Sequence, residues 1–206
     1  MLKNHITTTA LKLFSLNGIK KVSMNDVAQN AGVSKRTLYD FFENKEALLL
    51  EVLVVRNDYF EDYYQKLISE GDYNALEILI LYNEKMMEKP VWFSQAFYDD
   101  IRRYPVAYEY MVRTKNKGLT EMIALLKKGV EEGVFLEEVN FDIIAFVARE
   151  HMATPPPPME RFTKYTYIEV NETFFWVFMR GISTDEGRKT LEQYALKRQY
   201  RKNNIL

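Results

Sequence analysis

The amino-acid sequence predicts an all-α protein in which a compact N-terminal unit of three helices precedes a larger helical body. Apolar residues recur at intervals of three and four along most of the 206 residues, which is the spacing of one helix face. Serine or asparagine precedes several of these apolar runs, as is common at helix N-termini. The composition is 47% hydrophobic and 14% aromatic, so the chain can fill a core and does not have the character of a disordered protein.

The first helix is predicted from a stripe of apolar residues near the N-terminus. Ile6, Ala10, Leu13 and Phe14 fall on one side of a helix. The pair Asn17-Gly18 follows this stripe, and a glycine at that point is typical of a left-handed helix stop. We therefore expect the first helix to end there.

The second helix is predicted from a capping pattern. Ser23 lies three residues before Asp26, the spacing at which each side chain can accept a hydrogen bond from the other's backbone N–H. This predicts a helix that begins at about Met24 and ends at Gly32. Its buried side is predicted to contain Val27, Ala28 and Ala31.

Two further capping residues predict the third and fourth helices. Ser34 is expected to open a short third helix, and Asn44 a longer fourth helix. The buried side of the third helix is predicted to contain Leu38 and one of two phenylalanines, Phe41 or Phe42.

The shortness of the second and third helices indicates how they are used. Helices of about eight residues are not stable alone in water, so these two must pack on each other and on the first helix. A short glycine-containing turn between two such helices is the helix-turn-helix arrangement. An exposed first turn on the third helix suits the DNA major groove, where Lys35 or Arg36 can contact guanine edges. Backbone amides at that helix start, and Lys45 at the start of the fourth helix, suit phosphate oxygens. The candidate DNA-binding residues are Ser23, Ser34, Lys35, Arg36, Thr37, Tyr39, Asp40 and Lys45.

The charge distribution agrees with a polyanionic partner for the N-terminal unit. The chain has a net charge of −1, but residues 1–46 contain seven cationic and four anionic side chains. Residues 188–202 are also basic, with six cationic side chains against one glutamate, so the segment between these two regions is strongly acidic. A basic N-terminal unit on an acidic body favours DNA contact through the N-terminal unit, although solubilising surface lysines would give a similar balance.

Residues 6–49, "ITTTALKLFSLNGIKKVSMNDVAQNAGVSKRTLYDFFENKEALL", resemble the DNA-binding domain of TetR-type (TetR/AcrR) transcriptional regulators. The turn Ala31–Ser34, the pair Leu38-Tyr39, Phe42 and the helix start Asn44–Glu46 match the family pattern. The resemblance implies a DNA-binding domain at residues 1–49, followed at residues 50–206 by a helical effector-binding and dimerisation domain. It also implies double-stranded DNA and a second copy of the chain as partners, together with a small-molecule effector.

One position departs from the family pattern. Family members often have a histidine before the phenylalanine that ends the third helix, and this histidine helps to hold phosphate. The present chain has Phe41 at that position, preceded by Asp40. The histidine contact with phosphate is therefore lost at this position, and Asp40 becomes a candidate acceptor for a cytosine amino group.

The rest of the chain is predicted to form further helices. The fourth helix continues to Gly71, and others follow at 75–89, after Pro90, through 104–135, at 141–152 and at 166–182. A short basic helix opened by Ser183 and Glu186 is expected last. The prolines of Thr154–Pro158 predict a stiff spacer, with a docking motif for a partner as the alternative.

The body is rich in aromatic residues and methionine, which together suit an apolar pocket between helices. The alternative is that these residues form an ordinary core. A flat or apolar effector is expected, and the acidic character of the body also suits a cationic one. The candidate pocket residues are Tyr63, Tyr82, Met86, Phe93, Phe97, Tyr110, Met111, Met122 and Phe146.

The segment 166–182 is apolar around too much of its circumference for the surface of a monomer. In the family the last two long helices pair with those of a second copy in a four-helix bundle, and we expect a homodimer of this kind. The alternative is a central helix buried in a monomer. The candidate interface residues are Ile168, Asn171, Phe174, Phe175, Phe178 and Ile182.

Catalysis is not expected. The chain has two distant histidines and no cysteine, and no spacing of carboxylates or of serine and lysine indicates an active site. Neither a cofactor nor a metal is expected. The longest uncharged apolar run, "TFFWVFM", is too short to cross a bilayer, which favours a cytoplasmic protein. The sequence therefore predicts a ligand-responsive transcriptional repressor, with a dimeric DNA-binding factor that acts through protein partners as the alternative.

Overall fold

The computed structural model describes residues 1–88, 93–151 and 167–203. These ranges are helical and contain no strand, apart from one isolated antiparallel bridge between Phe135 and Ser183. The predicted all-α fold class is confirmed. The helices are α1 Leu2–Asn17, α2 Met24–Asn30, α3 Lys35–Phe41, α4 Lys45–Glu70, α5 Ala75–Glu88, α6 Gln95–Ile101, α7 Pro105–Glu131, α8 Phe141–His151, α9 Tyr167–Ile182 and α10 Asp185–Asn203.

The described residues form two compact units. The first unit contains residues 1–62 and 93–118, and the second contains residues 63–88, 119–151 and 167–203. Helices α4 and α7 contribute residues to both. The predicted Thr154–Pro158 spacer lies outside the described residues, as does the start of the helix expected after Pro90.

Capping residues define the N-terminal helices of the first unit as the sequence predicted. The Ser23 and Asp26 side chains each accept a hydrogen bond from the other's backbone N–H, at 3.1 and 2.7 Å, which is the predicted capping box. Ser34 accepts from the Thr37 N–H at 3.0 Å to open α3. Asn44 accepts from the N–H of residue 47 at 2.9 Å at the start of α4. Each side-chain cap satisfies a donor that a helix N-terminus would otherwise leave free.

Helix α6 shares the core of the first unit with α1 to α4. Phe97 and Ile101 are buried in the same cluster as Phe14, Leu38 and Val52. Phe93 was expected within this helix, but it precedes the helix, which begins at Gln95. The Ser94 hydroxyl oxygen explains this start, because it accepts from the backbone N–H of Phe97 at 3.4 Å.

The second unit has a separate core, built from α5, α8, α9, α10 and the later parts of α4 and α7. The α7–α8 and α9–α10 connections lie side by side: the Leu136 N–H donates to the Ile182 carbonyl at 2.9 Å, and the Thr184 N–H donates to the Val134 carbonyl at 3.1 Å. Among the described helices, none has the length and apolar character needed to cross a bilayer.

The last helix corrects a prediction. It spans 19 residues, whereas a short helix was expected. Its N-terminal cap is Thr184, whose hydroxyl oxygen accepts from the Gly187 N–H at 3.2 Å. Ser183 was expected in this role, but it is buried and donates to the Met179 carbonyl at 2.7 Å.

Candidate nucleic-acid interface

The turn between α2 and α3 is fixed by its backbone. Gly32 has φ +65°, a conformation that side chains disfavour, and its N–H donates to the Gln29 carbonyl at 3.1 Å. The Val33 N–H donates to the Ala28 carbonyl at 3.0 Å. Because Ala28 and Leu38 are both buried in the first unit, α2 and α3 are held on one core at one angle. This is the geometry of a helix-turn-helix unit.

The outer side of α3 contains the residues that were predicted from the sequence to contact DNA bases. Lys35, Arg36, Tyr39 and Asp40 are exposed, and Thr37 is half-buried. The Lys35 Nζ lies 5.9 Å from the centre of the Tyr39 ring, within range of a cation–π interaction. The helix therefore presents donors, an acceptor and an aromatic ring next to one another.

The two serines among the candidates have structural roles in capping. The Ser34 hydroxyl lies 2.8 Å from the Thr37 hydroxyl in addition to its cap bond. The Ser23 backbone N–H and then its hydroxyl lower the pKa of the Asp26 carboxyl below its ordinary value of 3.8. Both serines are exposed, so contact with phosphate stays a prediction for them.

Lys45 differs in environment from the lysine of α3. It is the first residue of α4 and is partly buried, with its Nζ 5.9 Å from the centre of the Phe14 ring. Burial lowers the pKa of the Lys45 ammonium group, while the carboxylates of Asp100 and Asp26 act in the opposite direction. Its proposed contact with phosphate is untested.

Two contacts around the helix-turn-helix unit were not predicted. The imidazole Nε2 of His5 lies 3.2 Å from the Ala31 carbonyl at the end of α2. The Asp100 carboxylate of α6 accepts from the Lys20 backbone N–H in the α1–α2 turn at 2.7 Å. A local sequence pattern could not have predicted the second contact, because its two residues are 80 positions apart in the sequence.

The predicted pocket residues are divided between two cores. Phe93 and Phe97 are buried in the core of the first unit, where their rings stack with centres 3.6 Å apart, and Tyr110 and Met111 pack against it. The candidates Tyr63, Tyr82 and Met122 pack against the core of the second unit, and Met86 is half-buried on α5.

Phe146 is 54% exposed on α8, next to Val147, which is also exposed. It was predicted to line the pocket, but it contributes to neither core in the described residues. Its role as a pocket residue stays a prediction that this exposure does not favour.

The predicted interface residues on α9 also differ in burial. Phe174 and Phe178 are half-buried, and their rings stack with centres 5.7 Å apart. Asn171 and Phe175 are likewise half-buried. Ile182 is only 5% exposed and belongs to the core of the second unit. It is therefore a core residue and not the interface residue that was predicted. The side chain of Ile168 lies outside the described residues.

Comparison with known proteins identifies the N-terminal region. The model of the family "Bacterial regulatory proteins, tetR family" matches residues 6–52. The HTH-type transcriptional repressor KstR2 of Mycolicibacterium smegmatis is 22% identical over 191 residues, which cover 91% of this chain and 93% of that protein.

Two solved structures share the fold. A TetR-family transcriptional regulator from Agrobacterium tumefaciens has a TM-score of 0.72 at 17% identity, covering 89% of this chain and 98% of its own. A gamma-butyrolactone receptor described as ArpA-like has a TM-score of 0.69 at 17% identity, with 95% of each chain covered. Proteins of the tetR family are DNA-binding regulators and not enzymes. Residues 6–52 therefore match the DNA-binding domain of the tetR family, and the chain shares the fold of a TetR-family regulator over most of its length.

Proposed function

We propose that this regulator is a repressor, that it binds a near-palindromic operator as a homodimer, and that a small apolar or aromatic effector releases it. The observation that supports the proposal best is the exposed polar side of α3, held on a buried core by capped helices and a fixed turn. We further propose that residues 1–49 form the DNA-binding domain, that residues 50–206 serve effector binding and dimerisation, and that the protein works in the cytoplasm. The similarity to a repressor supports the direction of regulation.

In this proposal α3 lies in the major groove. Arg36 and Asp40 lie on the side of α3 opposite the buried Leu38, where Arg36 can donate to a guanine edge and Asp40 can accept from a cytosine amino group. Lys45, partly buried at the start of α4, donates to a phosphate and so sets orientation rather than sequence preference.

The homodimer is proposed from apolar side chains that the second unit leaves exposed. On α8, Ile143, Phe146 and Val147 are exposed, and on α9 Val177 is 67% exposed. These are the two helices that the family resemblance assigns to a four-helix bundle between copies. We propose that Phe146 lies in this interface together with Phe174, Phe175 and Phe178, because burial of such rings is a main contribution to association.

The effector site is proposed in the second unit. Tyr64 and Tyr82 meet edge to face with ring centres 5.7 Å apart, and the Lys85 Nζ lies 5.4 Å from the centre of the Tyr63 ring. Rings of this kind accept flat apolar molecules, and the pairing of Lys85 with Tyr63 shows that one ring already faces a cation. The likeness to a structure described as a receptor supports a ligand-responsive protein.

Coupling to DNA is proposed to pass through α6 as well as α4. The Ser94 N–H before α6 donates to the Ser15 carbonyl of α1 at 2.9 Å, and Asp100 accepts from the Lys20 N–H. A displacement of α6 would therefore move α1 and the α1–α2 turn. A ligand lowers DNA affinity only if it binds the DNA-incompetent arrangement more tightly, and DNA must then weaken the ligand by the same factor.

The operator is identified by selecting bound sequences from a random DNA pool with the full-length protein. We expect a near-palindrome whose half-site centres lie about 34–36 Å apart, or a multiple of that distance. Arg36→Ala should bind the selected site more weakly, whereas Lys66→Ala, a matched loss of an exposed cation on the second unit, should not. Selection of no sequence, or equal losses in both variants, would contradict the proposal.

The effector is tested by screening small molecules for release of the protein from the selected operator. We expect Tyr63→Ala to weaken release while operator affinity stays nearly unchanged. Tyr108→Ala, which removes an exposed ring of the first unit outside α4 and α6, should leave release intact. If a compound and DNA bind together with no mutual effect, the protein is not ligand-gated, and the partner-dependent alternative replaces this proposal.

A further inference from the structure

Two adjacent phenylalanines end α3, and the structure gives them different environments. Phe42 is 3% exposed, whereas Phe41 is 42% exposed. The helix ends at Phe41, and Phe42 adopts an extended backbone (φ −136°, ψ 111°) while its N–H still donates to the Leu38 carbonyl. Phe42 therefore fills the core, and the ring of Phe41 is left partly in solvent.

Helix geometry places Phe41 beside the residues that face DNA. At about 100° per residue, Arg36 and Asp40 lie opposite the buried Leu38. Thr37 and Phe41 follow one another by one turn along one flank of the helix, between this outward side and the buried side. Lys35 and Tyr39 occupy the other flank, where their side chains contact each other. The two flanks of α3 thus differ in chemistry, one with a lysine and a phenol and the other with a hydroxyl and a hydrocarbon ring.

A hydrocarbon ring on this flank cannot replace the phosphate contact of a histidine, because it has no donor. The major groove contains one apolar group, the 5-methyl group of thymine, which phenylalanine can contact. This methyl group projects into the groove beside the backbone of its own strand, where a residue on the flank of a recognition helix meets it. We propose that Phe41 is a specificity-determining residue that contacts one thymine 5-methyl group in each half-site. The inference rests on the proposed placement of α3 in the major groove.

The test uses the full-length protein and its selected operator. Each thymine is replaced in turn by deoxyuridine, which removes the 5-methyl group and keeps base pairing. We expect the affinity to fall about fourfold at one thymine per half-site, as for loss of one buried methyl group, and about fifteenfold when both half-sites are changed. Phe41→Ala should bind the thymine and uracil operators equally. Leu16→Ala, which truncates an exposed apolar residue of α1, should keep the discrimination.

Three results would overturn the inference: a selected half-site without an A·T pair, no loss of affinity at any replaced thymine, or the same loss in Phe41→Ala. Because Phe41 is at the edge of the core, a urea unfolding midpoint is measured for each variant. If Phe41→Ala is unstable, Phe41→Leu replaces it and should retain part of the thymine preference. Failure to bind any selected DNA would count against the proposed function itself, whereas binding without discrimination counts only against this role of Phe41.

Discussion

The contact between Gly18 and α6 allows a quantitative test of how the first unit is assembled. Gly18 follows α1 with φ +80° and ψ 167°, a region that glycine occupies almost alone. A Cβ added there would lie 2.8 Å from the Ala96 Cβ and 3.2 Å from an Asp100 carboxylate oxygen. Substitution of Gly18 by alanine therefore meets both a backbone and a packing penalty.

The size of the effect follows from these two terms. The backbone conformation costs a non-glycine residue about 1–3 kcal/mol, and overpacking a close contact costs about a further 1–3 kcal/mol. We expect Gly18→Ala to lower the free energy of unfolding by about 2–6 kcal/mol, a large part of the typical 5–15 kcal/mol. Ala96→Gly alone should cost about 1 kcal/mol. In the double variant the clash with the Ala96 Cβ should be relieved, whereas the close approach to Asp100 and the backbone term should remain.

Urea unfolding of the four proteins, followed by circular dichroism, gives the coupling energy between the two positions. A favourable coupling of about 1 kcal/mol or more is expected for residues in contact. Two outcomes would refute the reasoning. Wild-type stability of Gly18→Ala would show that the strained conformation is absent, and additive single changes would show that α6 is not seated against the α1–α2 turn.

Three further predictions concern DNA, assembly and pH. Lys45→Ala should weaken binding to all DNA sequences alike and reduce the slope of log affinity against log salt concentration by about one. Arg36→Ala should cost about 1–3 kcal/mol of binding free energy on the preferred site and relax selectivity at one position. Titrations at several salt concentrations would show the reversed pattern if α3 were oriented differently. Phe178→Glu should be monomeric in sedimentation equilibrium, because a carboxylate at an apolar interface is costly to desolvate. A dimer as strong as that of the wild type would show that this residue is not in the interface. Hydrogen bonds from Ser23 lower the folded-state pKa of Asp26 below 3.8, so the ionised carboxylate stabilises the fold above that pH, and this stabilisation is lost as the pH falls through the lower folded-state pKa. As the pH falls from about 6 to 2, the urea unfolding midpoint should therefore fall more steeply for the wild type than for Asp26→Asn. Parallel curves would contradict this.

The sequence by itself determined the N-terminal limits of three helices in and after the helix-turn-helix unit, α2, α3 and α4. Ser23, Ser34 and Asn44 each cap the helix that they were predicted to open. Gly32 has the positive φ that a glycine between two short helices suggested. These features depend on hydrogen bonds between residues three apart and on the conformational freedom of one residue, so a short stretch of sequence contains all the groups involved.

Periodicity also predicted α7, but it did not show which element covers which face. The choice between Phe41 and Phe42 was open until the end of α3 was placed, because both lie close to the core-facing side of a short helix. Phe93 and Phe97 were assigned with the pocket, but they pack in the core that supports the helix-turn-helix unit. An aromatic residue gains from burial in a core, a pocket or an interface alike, so its identity does not distinguish these sites.

Only the tertiary structure decided the contacts between distant segments. The Asp100 carboxylate accepts from the Lys20 N–H, and the Thr184 N–H donates to the Val134 carbonyl just before the last helix begins. Each of these hydrogen bonds forms only where two separate stretches of backbone come together. The groups involved are ordinary in their own segments, and the packing of helices on a shared core is what brings them within reach.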